Sequence, residues 1–144
     1  MIKVRFAWPA VPVVFVSVNA LPFGWIATCL GLLVLVRTSH FQDEPTAAHE
    51  LEHCRQTIKG LALIHFIRYH ASARYRLRCE AKAFAAEIYC SEPASRPAEV
   101  EHASQSLALC YGIACTRSVA ATAIQKELFN LIARNAPLPI KQSF

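Results

Sequence analysis

Hydrophobic residues follow two patterns along the chain, and the change between them falls near residue 40. Up to residue 37 they come in short, β-branched runs such as Val13-Val14-Phe15-Val16, interrupted by Pro9, Pro12, Pro22 and Gly24. That texture predicts strands near 2–7, 12–18 and 25–37, with a turn over 19–24. Beyond residue 43 the apolar positions recur every three or four residues, which predicts helices. The first, over 44–59, has Asp43 as N-cap, Pro45 in its first turn and Gly60 where it stops. An apolar helix over 61–70 follows, then one over 73–90 capped by Ser72. A two-proline linker over 91–98 leads to helices over 98–111, stopped by Gly112, and 117–134, capped by Thr116 or Ser118. The tail 135–144 carries two prolines and is expected to be extended or frayed. The pattern as a whole predicts an α+β fold: a small N-terminal sheet, three central helices within 43–90, and two C-terminal helices within 97–134 that cover them.

The run from Phe6 to Val36 contains no charged residue. Length alone therefore suggests a competing reading, a membrane segment within residues 10–36, with 25–36 the piece to span. The prolines, Asn19 and the β-branched content favour strands instead. On that reading the protein is expected in the cytoplasm, and on the other it is membrane-associated.

At 144 residues the chain fits one domain, 1–144, with no room for a separate substrate domain. The net charge of +5 is a moderate excess that suits acidic partners or membrane surfaces without requiring them. Arg68, Arg74, Arg76 and Arg78, interleaved with Tyr69 and Tyr75, resemble a short phosphate-binding stretch. Four arginines fall short of a dedicated nucleic-acid footprint, so a solvated, ion-paired face is preferred and no nucleic-acid partner is expected. The six cysteines form no compact framework and no C-x-x-C, so reduced, buried thiols are expected rather than disulfides or a second metal site.

Candidate chemistry concentrates at His49-Glu50-Leu51-Glu52-His53, an H-E-x-x-H sequence. Residues four apart share a helix face, so two imidazoles can hold one zinc ion while Glu50 reaches a water on it. Ala47, Leu51, Cys54 and Ile58 form the apolar stripe of this helix, and both histidines lie on roughly the opposite side with Gln56. A third ligand is wanted downstream. Glu80 and Glu87 share one face of the 73–90 helix and either could reach; Glu80 is preferred, because it sits nearer the helix start and begins the sequence E-x-x-A. The bland alternative for both is a solvated face paired to arginine. His40, in the polar loop 38–45, is read as a solvent-exposed histidine.

These residues resemble the gluzincin zinc metallopeptidases, in which two histidines and a glutamate from a later helix hold the metal. E-x-x-A at 80–83 is similar to the second motif of the CAAX prenyl-protease group, where an aspartate usually follows; here Phe84 follows. Small phage- and prophage-encoded metallopeptidase-like proteins share a similar order, matched here by Arg37, residues 49–56, Tyr75-Arg76 and Glu80. The resemblance covers about residues 30–90, and H-E-x-x-H is its specific part. It implies a zincin-like helical core, Zn²⁺ held by His49, His53 and Glu80, Glu50 as general base, and a peptide or protein substrate, with a peptidoglycan cross-link also an amide of the right class.

An oxyanion donor is also required. His65, Tyr69, His70, Tyr75 and Arg76 are all candidates, and Tyr75 is chosen for its position one and a half turns before Glu80. Glu52 is expected in solvent, and Gln56 is expected to orient a ligand or lie at the rim. Two rivals remain: a non-catalytic phage or mobile-element accessory protein whose metal site is structural or lost, and a small membrane-anchored protein in which H-E-x-x-H is accidental.

Overall fold

The computed structural model describes residues 1–7, 11–22 and 26–134, and the fold is α+β. Four strands, β1 (Ile2–Ala7), β2 (Val11–Val18), β3 (Ala27–Leu30) and β4 (Leu33–Arg37), precede five helices. These are α1 (Glu44–Lys59), α2 (Leu63–Ala71), α3 (Ala73–Tyr89), α4 (Arg96–Cys110) and α5 (Arg117–Ala133). The tail 135–144, residues 23 and 24 of the expected turn and residue 25 of the expected strand lie outside the described residues.

The sheet runs β1-β2-β4-β3, with antiparallel β1/β2 and β3/β4 pairs around a parallel β2/β4 pair. The single strand expected over 25–37 is two strands. Gly31 takes φ of +77°, a conformation glycine adopts without strain, and with Leu32 it reverses the chain so that Leu30 pairs with Leu33. Among the described residues, the 10–36 stretch is strand and turn, and no helix is long and apolar enough to cross a membrane.

One face of the sheet is covered by α1: Val13, Phe15, Val34 and Val36 meet Ala47, Leu51 and Cys54, with Ile58 at the margin. Arg5 points into this layer at 3% exposure and forms a bidentate pair with Glu44, at 2.7 and 2.9 Å, which ties β1 to the start of α1. On the outer face of the sheet Ile2, Val4, Phe6, Val14, Leu30 and Leu33 are exposed.

The start and stop of α1 follow its local chemistry. The Asp43 carboxylate accepts from the Thr46 backbone N–H at 3.3 Å, Pro45 occupies the first turn, and Gly60 ends the helix. A Cβ on Gly60 would stand 2.8 Å from His65 Cβ and 2.9 Å from the Gln56 carbonyl oxygen, so the α1–α2 corner closes only around glycine. Beyond the corner, Leu61 has φ of +53°, and α2 starts at Leu63 rather than at 61. Ser72 caps α3 by accepting from the Tyr75 N–H, and Thr116 caps α5 by accepting from the Val119 N–H. The expected linker 91–98 is shorter than its prolines suggested. Pro97 sits in the first turn of α4, where its missing N–H would have had no helical partner anyway.

A second core is formed by α3, α4 and α5 around Ile88, Val100, Leu107, Ile124 and Leu128, with alanines 81, 85, 103 and 120 permitting close helix approach. All six cysteines are free, as expected of reduced thiols, but only Cys54 and Cys79 are fully buried and Cys110 is exposed.

Candidate metal centre

Helix α1 is buried on two sides. Its apolar stripe faces the sheet, while His49 and Glu50 are buried on other faces, and the helix packs extensively against α3. His49 and His53 stand one turn apart on the same face, which brings their Nε2 atoms to 3.2 Å. From α3, Glu80 enters at 1% exposure, with Oε2 3.8 Å from His49 Nε2 and Oε1 3.6 Å from His53 Nε2. Its burial overturns the solvated, arginine-paired alternative for this residue. An ion with four tetrahedral ligands at about 2.0–2.1 Å has ligand–ligand edges of ~3.3 Å. The His49–His53 and His49–Glu80 Oε2 separations are near that edge, and one ligand atom from each of the three residues lies within 4.8 Å of the others, so this buried group can hold a metal ion.

Two further observations bear on the fit. Glu80 Oε2 is buried without any hydrogen-bond partner, an arrangement costly for a carboxylate unless a cation meets it. Its other oxygen, Oε1, accepts from the Tyr69 hydroxyl. Behind His49, Glu87 Oε2 lies 2.8 Å from Nδ1, so Nδ1 carries the proton and Nε2 presents its lone pair to the shared point. Glu87 is thus placed to orient a histidine rather than to be the third ligand. Phe84, which stands where the related motif has aspartate, packs edge-on against His49 with ring centroids 4.8 Å apart. The carboxylate supporting the histidine comes from Glu87, one turn later.

Electrostatics tie the cluster together. For His53, burial works against the imidazolium, but the Glu80 carboxylate outweighs it and raises the pKa to about 10. Burial acts on Glu80 in the opposite sense, and the two imidazoles with the Tyr69 hydroxyl still hold its carboxyl below the ordinary range. Without a cation the pair carries a proton, whose place a divalent ion held there would take. Glu50 is 6% exposed, its Oε2 has no hydrogen-bond partner, and burial pushes its carboxyl up against the opposing pull of His49 and His53. It is a buried acid beside the cluster with a free oxygen.

Other expected site residues sit differently. The Tyr75 hydroxyl lies 3.0 Å from His65 Nδ1 and has no bond to Glu80 or the two α1 histidines. The phenol that reaches the cluster is Tyr69, whose ring is 6.5 Å from that of His53. Arg76 is a clamp rather than part of a solvated charged face. It donates to the carbonyls of Tyr69, His70, Tyr111 and Gly112 and stacks on the Tyr69 ring, joining the end of α2 to the α4–α5 turn. Glu52 is paired with Arg55 and bonded by Gln56 rather than free in solvent. Gln56 bridges α1 to the Cys79 carbonyl at 3.0 Å and bonds neither histidine. His40 lies in a short 3-10 turn and takes no part in the cluster.

One signal for Tyr69 was available in the sequence. His65 and Tyr69 stand one turn apart, on the side of α2 away from Leu63, Ile64, Phe66 and Ile67.

The fold and site therefore define an α+β protein with a buried His-His-Glu group able to hold a metal ion. Comparisons with models of known families, with curated proteins and with solved structures found no match.

Proposed function

We propose that the chain is a zinc-dependent amide hydrolase, a metallopeptidase of the gluzincin type. Its support is the convergence of His49 Nε2, His53 Nε2 and Glu80 on one point, with Glu50, whose Oε2 has no hydrogen-bond partner, beside them. The donor set of two imidazoles and one carboxylate suits Zn²⁺ with a fourth position open. Zinc, when bound, supplies a Lewis acid and lowers the pKa of water.

The side chains divide the remaining work. Glu87 keeps the Nδ1 proton on His49, so that Nε2 stays a donor to the metal. Tyr69 holds Glu80 Oε1 and leaves Oε2 for the ion. Glu50 takes the proton of the attacking water and passes it to the departing amine nitrogen. β3 is one of the two edge strands of the sheet, and Cys29 on it comes within 3.3 Å of Cys54, one turn after Glu50 on α1. An extended peptide or protein substrate added to that edge would pass the acid.

The burial of the cluster also suits a structural ion. Against that stand three ligands where closed structural sites use four, and an acid that a structural site does not need.

Glu50→Gln is the test. The variant is expected to keep one zinc per chain while cleavage of a quenched-fluorescent peptide mixture falls about 10²–10⁴-fold. Cleavage unchanged in Glu50→Gln, or absent in the zinc-loaded wild type, contradicts the hydrolase reading.

A further inference from the structure

Helix α2 is built inside out. His65 and Tyr69 face the protein, His65 buried against Tyr75 and Tyr69 bonded to Glu80. Leu63, Ile64, Phe66 and Ile67 face away and are 71, 45, 61 and 56% exposed, and Leu61 just before them is 70% exposed. An ordinary surface helix has the reverse arrangement, and a contiguous exposed apolar patch marks an interaction site. Leu61 adds a second anomaly. It occupies the left-handed region at φ of +53°, which glycine or asparagine fills with less strain, so the loop tip accepts strain while presenting a leucine to solvent.

The charged side chains of this stretch of sequence are all of one sign. From His53 to Cys79 the sequence contains Arg55, Lys59, Arg68, Arg74, Arg76 and Arg78 and no carboxylate. Arg55 is paired with Glu52 and Arg76 is used as the carbonyl clamp. Arg68, Arg74 and Arg78 are exposed; Arg68 lies in the last turn of α2, Arg74 in the first turn of α3 and Arg78 one turn after it, so the three flank the α2–α3 corner.

We propose that α2 docks in the plane of an anionic phospholipid surface, with Leu61, Leu63, Ile64, Phe66 and Ile67 in the acyl boundary and Arg68, Arg74 and Arg78 on the lipid phosphates. Apolar residues at 45–71% exposure form a ridge and not a groove, and a bilayer conforms to a ridge. A second copy is a poorer occupant. An isologous contact through α2 would bring two identical arginine clusters together, and five side chains fall well short of the ~800 Å² that each partner of a stable complex commonly buries. The docking does not depend on the chemistry at His49, His53 and Glu80. Because Tyr69 joins the inner side of α2 to Glu80, it would hold that group about one helix diameter, roughly 10 Å, from the headgroups.

Co-sedimentation of the full chain with vesicles tests this. Binding is expected to vesicles of three parts phosphatidylcholine to one part phosphatidylserine, weaker binding to phosphatidylcholine alone, and loss of most binding in high salt. Phe66→Ser with Ile67→Ser should weaken binding by about tenfold or more, and Arg74→Gln or Arg78→Gln by roughly fivefold each. Circular dichroism should be unchanged in all of these, since the altered side chains are exposed. Absence of binding to anionic vesicles, or undiminished binding by the Phe66/Ile67 double variant, overturns the proposal. So does a wild-type dimer that the same double variant converts to monomer in sedimentation equilibrium, which would assign the ridge to self-association.

Discussion

The two layers that meet at α1 and α3 differ in what they bury. On the sheet side of α1 the buried side chains are Val13, Phe15, Val34, Val36, Phe41 and Leu51, and around α3, α4 and α5 they are Ile88, Leu107, Ile124 and several alanines. Both layers are apolar and can be explained by stability alone. Between and beside them the pattern changes. Of the seven buried polar or charged residues among those described, five (His49, Glu50, Gln56, His65 and Glu80) belong to α1, α2 and α3. Burying such groups opposes folding unless they are matched, and two of their carboxylate oxygens have no hydrogen-bond partner. At this seam His49, His53 and Glu80 form a group able to hold a metal ion.

The contrast can be broken from the apolar side. Leu107 is fully buried in the α3–α5 core, and Leu107→Ala should cost about 2–5 kcal/mol in urea denaturation. Metal affinity of the folded fraction should be unchanged, because no atom of the cluster touches that change. An affinity that falls in parallel would show that the polar seam depends on the α4–α5 layer.

A smaller effect sharpens the contrast at the seam. Glu87→Gln removes the carboxylate behind His49 Nδ1 and should weaken metal binding about 10–100-fold. Glu87 is itself partly exposed, so the melting temperature of the metal-free protein should move little. Competition with a chromophoric chelator measures the first, and a thermal scan the second.

The smallest expected effect lies at the sheet. Arg5 holds the Glu44 carboxyl below its ordinary pKa, and Glu44 is 46% exposed. A carboxyl depressed in the folded state contributes stability above its unfolded pKa, near 4.5, and loses it as pH falls through the lower folded value. With solvent screening this pH-linked part should stay under about 1 kcal/mol. Denaturation between pH 6 and 3 should show it in the wild type and not in Glu44→Gln. That variant also leaves the Arg5 guanidinium buried without its carboxylate, a pH-independent cost of about 1–3 kcal/mol.

Much of this was legible before any coordinates, because it is local. Asp43, Pro45 and Gly60 mark α1, Ser72 marks the start of α3, and the H-E-x-x-H spacing puts two imidazoles on one helical face. Glu80 could be named from its place on a later helix, and its burial agrees with an inward role. What escaped the sequence depends on contacts across elements. Gly31 inside an apolar run gives no sign by itself that the chain reverses there, and Pro97 reads equally well as linker or first turn. Distance along α3 favours Tyr75, but the side a phenol faces is decided by where α2 lies, and the phenol bonded to Glu80 is Tyr69 of α2. The two-turn spacing of Glu80 and Glu87 was visible. That one faces both α1 imidazoles while the other bonds Nδ1 of His49 needed α1 docked against α3.

Zinc titration of metal-free protein, by competition with a chromophoric chelator, tests the central claim most directly when wild type and Glu80→Ala are compared. One ion per chain is predicted for the wild type, with affinity lowered at least about 100-fold in Glu80→Ala, because two imidazoles alone make a weak site. A wild type that takes up no zinc, or a Glu80→Ala protein that binds it as tightly as before, would contradict the account.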